Sequence, residues 1–304
     1  MHVRVLGAAA GGGFPQWNCN CRNCDGVRSG AIRARPRTQS SIAVSGDGVE
    51  WVLCNASPDV LAQIRGFAAL QPARRLRDTG IRAVVLIDAQ IDHTAGLLLL
   101  REGAPLDVYC TPQVRDDLTG GHPVFRVLEH FCGVDWHPIG ADPKAAFSVD
   151  GAPGLAFTAV PLKSKPPPYS PHRHEPRAGD NIGLRVVDLR TRRSLFYAPG
   201  LAEIEPHVRG FLAEADCLML DGTFWSDDEL IRLGVSTQRA ADMGHLAQRG
   251  PGGMLETLTS VPARRKVLIH INNTNPILDE GSPERAQVDA AGIEVAYDGM
   301  EIEL

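Results

Sequence analysis

The stretch Ala83-Val84-Val85-Leu86-Ile87-Asp88-Ala89-Gln90-Ile91-Asp92-His93-Thr94-Ala95-Gly96 changes character at Ile87. Its apolar first part has the length and composition of a buried strand, and two acids and a histidine then arrive ahead of an apolar helix expected to begin near Thr94. Polar groups that leave the end of a buried strand converge where α/β proteins build their sites. Adjacent Asp92 and His93 offer one carboxylate and one imidazole to a common ion, while the same pair could equally cap the helix.

Two later segments repeat the pattern. Leu218-Met219-Leu220 runs into Asp221-Gly222-Thr223, and Val267-Leu268-Ile269 runs into His270-Ile271-Asn272-Asn273-Thr274-Asn275-Pro276. An apolar strand, an acid or histidine, and a turn rich in glycine or asparagine recur each time. Taken singly, each is a satisfied polar strand end; together they point to one metal centre.

Working outward, strand-length apolar runs also occur at Val3–Leu6, Ser41–Val44, Trp51–Cys54, Val108–Cys110, Leu155–Val160, Gly183–Val187, Ser194–Tyr197 and Ile293–Ala296. Helical signals stand between several of them: Ser57-Pro58 opens Asp59–Phe67, and Ser282-Pro283 opens Glu284–Ala291. In both halves strands come first and then mix with helices. That order predicts an α/β protein of two mixed β-sheets packed face to face with helices outside.

Three of the seven cysteines are crowded into Cys19-Asn20-Cys21-Arg22-Asn23-Cys24, on a turn expected after Gly11-Gly12-Gly13. Thiolates so spaced suit a tetrahedral structural zinc, with a fourth ligand from elsewhere. Cys54, Cys110, Cys132 and Cys217 lie singly in or beside apolar stretches and read as small buried hydrophobes. Lys163 to Pro176 is proline-rich, which denies it a helix or a central strand. With the residues up to Asp180 it forms a loop long enough to suggest function, and Tyr169, His172, Arg173 and His174 are its candidate substrate-binding residues.

The chain has 304 residues, 22% of them charged, with net charge -5 and no basic block, which argues against a nucleic-acid partner. Met1-His2-Val3-Arg4-Val5-Leu6 lacks the pattern of a signal peptide, so a cytoplasmic location is expected. No apolar run approaches the roughly 20 residues of a membrane span.

The segments Gly11 to Cys19, Asp88 to Gly96, Pro167 to Arg173, Gly179 to Gly183 and His270 to Pro276 resemble the metallo-β-lactamase fold family, and within it the branch that serves pyrroloquinoline quinone (PQQ) biosynthesis. The resemblance spans essentially the whole chain. It implies an αββα sandwich, residues 1–304 as one domain, and a metal at one edge of the sheets.

Hydrolases of the family open with H-x-H-x-D-H, whereas Asp88 and Gln90 hold the first two histidine positions here. That departure counts against a dinuclear zinc hydrolase. Asp92, His93 and His270 remain, a set that suits one iron(II) with open positions. The resemblance implies O2-dependent hydroxylation of the tyrosine ring of a Glu–Tyr-derived precursor, with Asp221 at the family's bridging position as ligand or orienting group and Asp88 and Gln90 nearby as hydrogen-bonding, substrate-binding groups. Related phosphodiesterases close their cysteine zinc site with a histidine where this chain has Asn273; His245 is the other candidate. Other PQQ biosynthesis proteins and a homodimeric state are compatible with the resemblance. A soluble carrier of PQQ or its precursor and a metal-dependent hydrolase are the alternatives.

Overall fold

The computed structural model describes residues 1–304. The first half lays down β1 (His2–Gly7), β2 (Ser41–Ser45), β3 (Trp51–Cys54), β4 (Ile81–Val85), β5 (Leu106–Cys110) and β6 (Val134–Pro138). The second half lays down β7 (Ala146–Phe147), β8 (Leu155–Pro161), β9 (Ile182–Asp188), β10 (Ser194–Ala198), β11 (Cys217–Asp221), β12 (Arg265–Ile269) and β13 (Glu294–Val295), before β14 (Glu301–Glu303) returns to pair with β1. Two seven-stranded sheets result, in the orders β14-β1-β2-β3-β4-β5-β6 and β7-β8-β9-β10-β11-β12-β13. In each, antiparallel pairings on one side give way to parallel ones from β3 or from β10 onward.

Side-chain alternation explains the layering. Val52 and Cys54 of β3 face the space between the sheets, while Trp51 and Leu53 face the helices outside. Cys217 and Met219 of β11 face inward, and Leu218 and Leu220 pack under the helices Pro206–Glu214 and Met254–Ser260 on the other side. Strands covered on both faces read as unbroken apolar runs, which is why periodicity alone did not reveal which side they present. The expected arrangement of mixed sheets face to face with helices outside is the one found. No helix is long and apolar enough to cross a membrane.

Several boundaries differ from expectation. β6, β7 and β14 carry too few apolar residues, or are too short, to stand out in the sequence. β4 ends at Val85, because Ile87 turns its carbonyl to Ile182 N–H of the opposite sheet at 2.9 Å and its N–H to Asn55 Oδ1 at 3.2 Å. The helix expected at Asp59–Phe67 spans Val60–Arg65, and the Asp59 carboxylate is taken by the Gln39 backbone and side-chain amides. Ser282 does cap Pro283–Ala290, accepting from Arg285 N–H at 3.0 Å.

The helix expected near Thr94 is instead a single turn at Ile91–Thr94 followed by a 3-10 segment at Ala95–Leu100, so Asp92 and His93 lie on the turn itself. Gly96 makes this possible. Its N–H donates to Ala56 O at 2.9 Å, and Ala56 N–H donates to His93 O at 2.7 Å. A Cβ on Gly96 would come within 2.1 Å of Ser57 O and 2.7 Å of Ala56 O, both rigid backbone atoms. Gly96→Ala should therefore cost about 1–3 kcal/mol and shift the Asp92–His93 turn, read as a lower melting temperature together with reduced metal content at the centre. Wild-type stability and metal content would show that the turn tolerates the displacement.

Candidate metal centre

Three groups of side chains present potential ligand atoms within 4.8 Å of one another: Cys19, Cys21 and Cys24; Asp92, His93 and His270; and Asp221, His245 and His270. The last two share His270. Asp92 and His93 come from the turn after β4, Asp221 is the last residue of β11, and His270 follows β12. His245 follows the short helix Ala240–Met243, turned inward by Gly244 at φ +90°. The strand ends that the sequence marked do converge, across the edge of both sheets.

Each imidazole is held through Nδ1. His93 Nδ1 lies 2.8 and 2.9 Å from the two Asp88 oxygens, so its N–H donates to the carboxylate and Nε2 is the nitrogen turned to the centre. That Nε2 is buried with no hydrogen-bond partner. His245 Nδ1 lies 2.8 Å from Asp221 Oδ2. His270 Nδ1 lies 2.9 Å from Thr223 Oγ1, whose own proton goes to His270 O at 2.9 Å. With its proton so placed, the Thr223 oxygen accepts from Nδ1–H, and His270 Nε2 lies 3.2 Å from Asp92 Oδ2. His270 itself sits at φ +61°, a left-handed backbone rare outside glycine, and the Thr223 bond to its carbonyl helps to hold it there.

This geometry fits a cation. Nε2 of His93, Nε2 of His270 and a carboxylate oxygen of Asp92 face one another with little solvent, an arrangement that draws positive charge. The titration behaviour says the same. Burial works against charge on His93, yet Asp88 and Asp92 push its pKa up to about 9. Burial likewise opposes ionisation of Asp92, but His93 and His270 hold its carboxyl well below the usual range. His270 is drawn down by burial, against the pull of Asp92. Asp88 and Gln90, at the first two positions of the hydrolase pattern, do not complete a second ligand set: Asp88 is engaged with His93, and Gln90 Nε2 donates to Lys165 O at 3.1 Å.

Of the proline-rich loop, Tyr169 reaches the rim of this centre, its hydroxyl donating to Ala89 O. His172 Nδ1 lies 3.0 Å from Asp180 Oδ1, Arg173 donates to Pro166 O within the loop, and His174 is exposed. His245 is the residue that sequence reasoning placed wrongly. As a candidate fourth ligand of the cysteine site it is set aside, because it pairs with Asp221 and stacks on His270 with ring centroids 5.3 Å apart. Its only local signal was a glycine before a histidine at a helix end.

The cysteine group lies elsewhere, and not wholly on a turn: Cys21 is the N-cap of the helix Arg22–Ser29 and Cys24 is within its first turn. Asn273 is the group that the fold brings to it, with Nδ2 3.4 Å from Cys24 Sγ and 3.7 Å from Cys21 Sγ. The amide thus turns its N–H donors to the sulfurs, and a half-turn of the side chain would present its oxygen instead. Burial pushes the Cys21 thiol up to about 12, a charge penalty that a bound cation would offset. Cys54, Cys110 and Cys217 are fully buried, and burial pushes each up to about 12, as expected of inert core thiols, whereas Cys132, expected to be buried with them, is only half-buried.

A family model described as Beta-lactamase superfamily domain matches residues 50–271. Coenzyme PQQ synthesis protein B of Methylobacillus flagellatus is 60% identical over 303 residues, 99% of each chain. Its counterpart in Pseudomonas paraeruginosa is 61% identical over 305 residues, 100% of each. Among solved structures, zinc-bound PqqB from Methylobacterium extorquens superposes with a TM-score of 0.89 at 39% identity, covering 100% of both chains. A diphosphatase of the PhnP family shares the fold, with a TM-score of 0.67 at 19% identity over 100% of this chain and 97% of the other.

Two substitutions separate the metal groups. Cys21→Ser should lower zinc content and melting temperature together, and full retention of both would dismiss the cysteine site. Thr223→Val removes the acceptor that fixes the His270 tautomer. It should weaken metal binding at the centre by about 10–100-fold, with recovery in Thr223→Ser; equal affinity in Thr223→Val would show that the hydroxyl does not orient the ring.

Proposed function

The chain belongs to the coenzyme PQQ synthesis protein B family of the β-lactamase superfamily, and on that premise we propose that it acts in PQQ biosynthesis as an iron(II)- and O2-dependent hydroxylase of the tyrosine ring in a Glu–Tyr-derived precursor. The observation that carries this reading is the donor set: Asp92, His93 and His270, with His93 Nε2 buried and unpartnered. Two imidazoles and one carboxylate on one side of an ion leave its other positions open, the arrangement used by non-haem iron(II) oxygenases. Iron(II) held there would supply oxygen activation next to the bound substrate.

The chain's own residues do the rest. Asp88 and Thr223 hold the two rings through Nδ1, so both Nε2 atoms are aimed before any ligand arrives. His245 is the proton-holding group beside the centre: burial opposes its charge, but Asp221 raises its pKa. Asp221 thereby serves as an orienting group and, through the second triad, as a possible further ligand. Tyr169 and Gln90 tie the proline-rich loop across the Asp88–Asp92 turn, which limits water at the centre. Arg173 keeps donors beyond the one given to Pro166 O, and with His172 and His174 on the same loop it suits a substrate bearing carboxylates. Cys19, Cys21 and Cys24, with Asn273 beside them, hold a structural zinc.

A metal-dependent hydrolase is the second reading, favoured by the Asp221, His245 and His270 group, which would allow another ion beside the first. Anaerobic loading with iron(II), followed by exposure of a Glu–Tyr substrate to oxygen, separates the two. Hydroxylation adds mass in units of one oxygen atom, whereas two zincs and cleavage by water would identify a hydrolase. His93→Ala and His270→Ala should each abolish iron binding and substrate oxidation while leaving the cysteine-bound zinc. Oxidation at the wild-type rate in either variant would overturn the assignment.

A further inference from the structure

Where the segment Arg35–Arg37 meets the segment Gly292–Met300 lies a cavity of about 390 Å³. That is within the size range of small-ligand pockets. Arg37 lines it, although this side chain is only 4% exposed. Its Nε donates to Ala296 O at 2.9 Å and its Nη1 to Arg35 O at 2.7 Å, while Nη2 has no partner in the protein. No carboxylate pairs with it. Asp298, the nearest acid, has its oxygens taken by Ala8 N–H, Thr38 N–H and the Thr38 hydroxyl.

The other acids around the cavity are already matched by arginines. Glu280 pairs with Arg33 at 3.0 Å and Arg35 at 3.4 Å, Asp289 with Arg285 at 2.9 Å, and Glu294 with Arg265 at 2.6 Å. Arg37 is thus the arginine of the lining that has no ion pair of its own. A buried guanidinium with no carboxylate in direct contact is costly, and burial pulls its pKa down to about 10 against the opposing charges of Asp298 and Glu280. One wall is flat, since Arg35 stacks on the Tyr297 ring 4.6 Å from its centroid, and buried Ile293, Val295 and Met300 add apolar surface.

We infer that this cavity binds a small, flat-bodied carboxylate, whose oxygen accepts from Arg37 Nη2 and whose body lies along the wall formed by stacked Arg35 and Tyr297. Charge complementarity supplies the anion, the apolar and aromatic lining selects a carboxylate with a planar body over a bare inorganic ion, and the fork of Arg37 fixes its orientation. The site is independent of the metal centre and uses none of its residues.

Calorimetric titration of the intact protein with phthalate, succinate and inorganic phosphate, at fixed ionic strength set with chloride, tests this. Phthalate should bind one-to-one and more tightly than the other two; no binding, or phosphate binding as tightly, would overturn the proposal. Arg37→Gln should weaken phthalate binding by about ten- to a hundredfold. Because Arg37 also ties Ala296 in place, Tyr297→Leu is the second variant, and it should weaken binding by about fivefold while leaving those ties. Undiminished phthalate affinity in Tyr297→Leu would refute the site. The double variant His93→Ala, His270→Ala should bind phthalate as the wild type does, and loss of binding there would place the probe at the metal centre and overturn the assignment.

Discussion

Ala56 N–H reaches His93 O at 2.7 Å, and Gly96 N–H reaches Ala56 O at 2.9 Å. These two bonds lock the turn that carries Asp92 and His93 to the end of β3, and close contact at Gly96 leaves no room for another residue there. Once that turn is fixed, Asp88 can reach His93, Asp92 can face His270 from the opposite sheet, and Gln90 can donate to the proline-rich loop. A shift of a few tenths of an ångström would be passed to every one of these pairs, because none has slack beyond hydrogen-bond distance.

The centre is a balance of opposed charges in a poorly solvated place. Asp88, Asp92 and Asp221 stand among His93, His245 and His270, and each carboxylate is placed against a particular ring nitrogen. Desolvation alone would neutralise Asp92, His93 and His245, but the pairing keeps Asp92 ionised and raises His93 and His245. Thr223 contributes through a single hydroxyl that serves a carbonyl and a ring at once. Replacing one group therefore disturbs its neighbours as well, and effects of paired substitutions at this centre should not add.

Much of this was legible in the sequence because it rests on local patterns. Buried strands announce themselves as apolar runs, and Asp92, Asp221 and His270 each stand where such a run ends. His245 was not legible in its true role, since it follows a helix rather than a strand and reaches the centre only through the close of Gly244 and its bond to Asp221. The Asp92–His93 turn was misplaced by a few residues for a related reason: Gly96 ends the α-helical turn through contact with Ala56 and Ser57, which are distant in sequence. Short strands such as β7 and β14 exist because of their partners and have little pattern of their own.

Asp92 and His93 belong to the sheet of β4, whereas His270 belongs to the sheet of β12. An ion held by all three would be a rivet through both sheets, and its affinity would be added to the resistance of the sandwich to separation. A rivet is indifferent to its alloy: any divalent cation accepted by two imidazoles and a carboxylate would tighten the same joint. Heat resistance would then reward occupancy rather than the right occupant, and a preparation that has scavenged the wrong metal would be robust and inert at the same time.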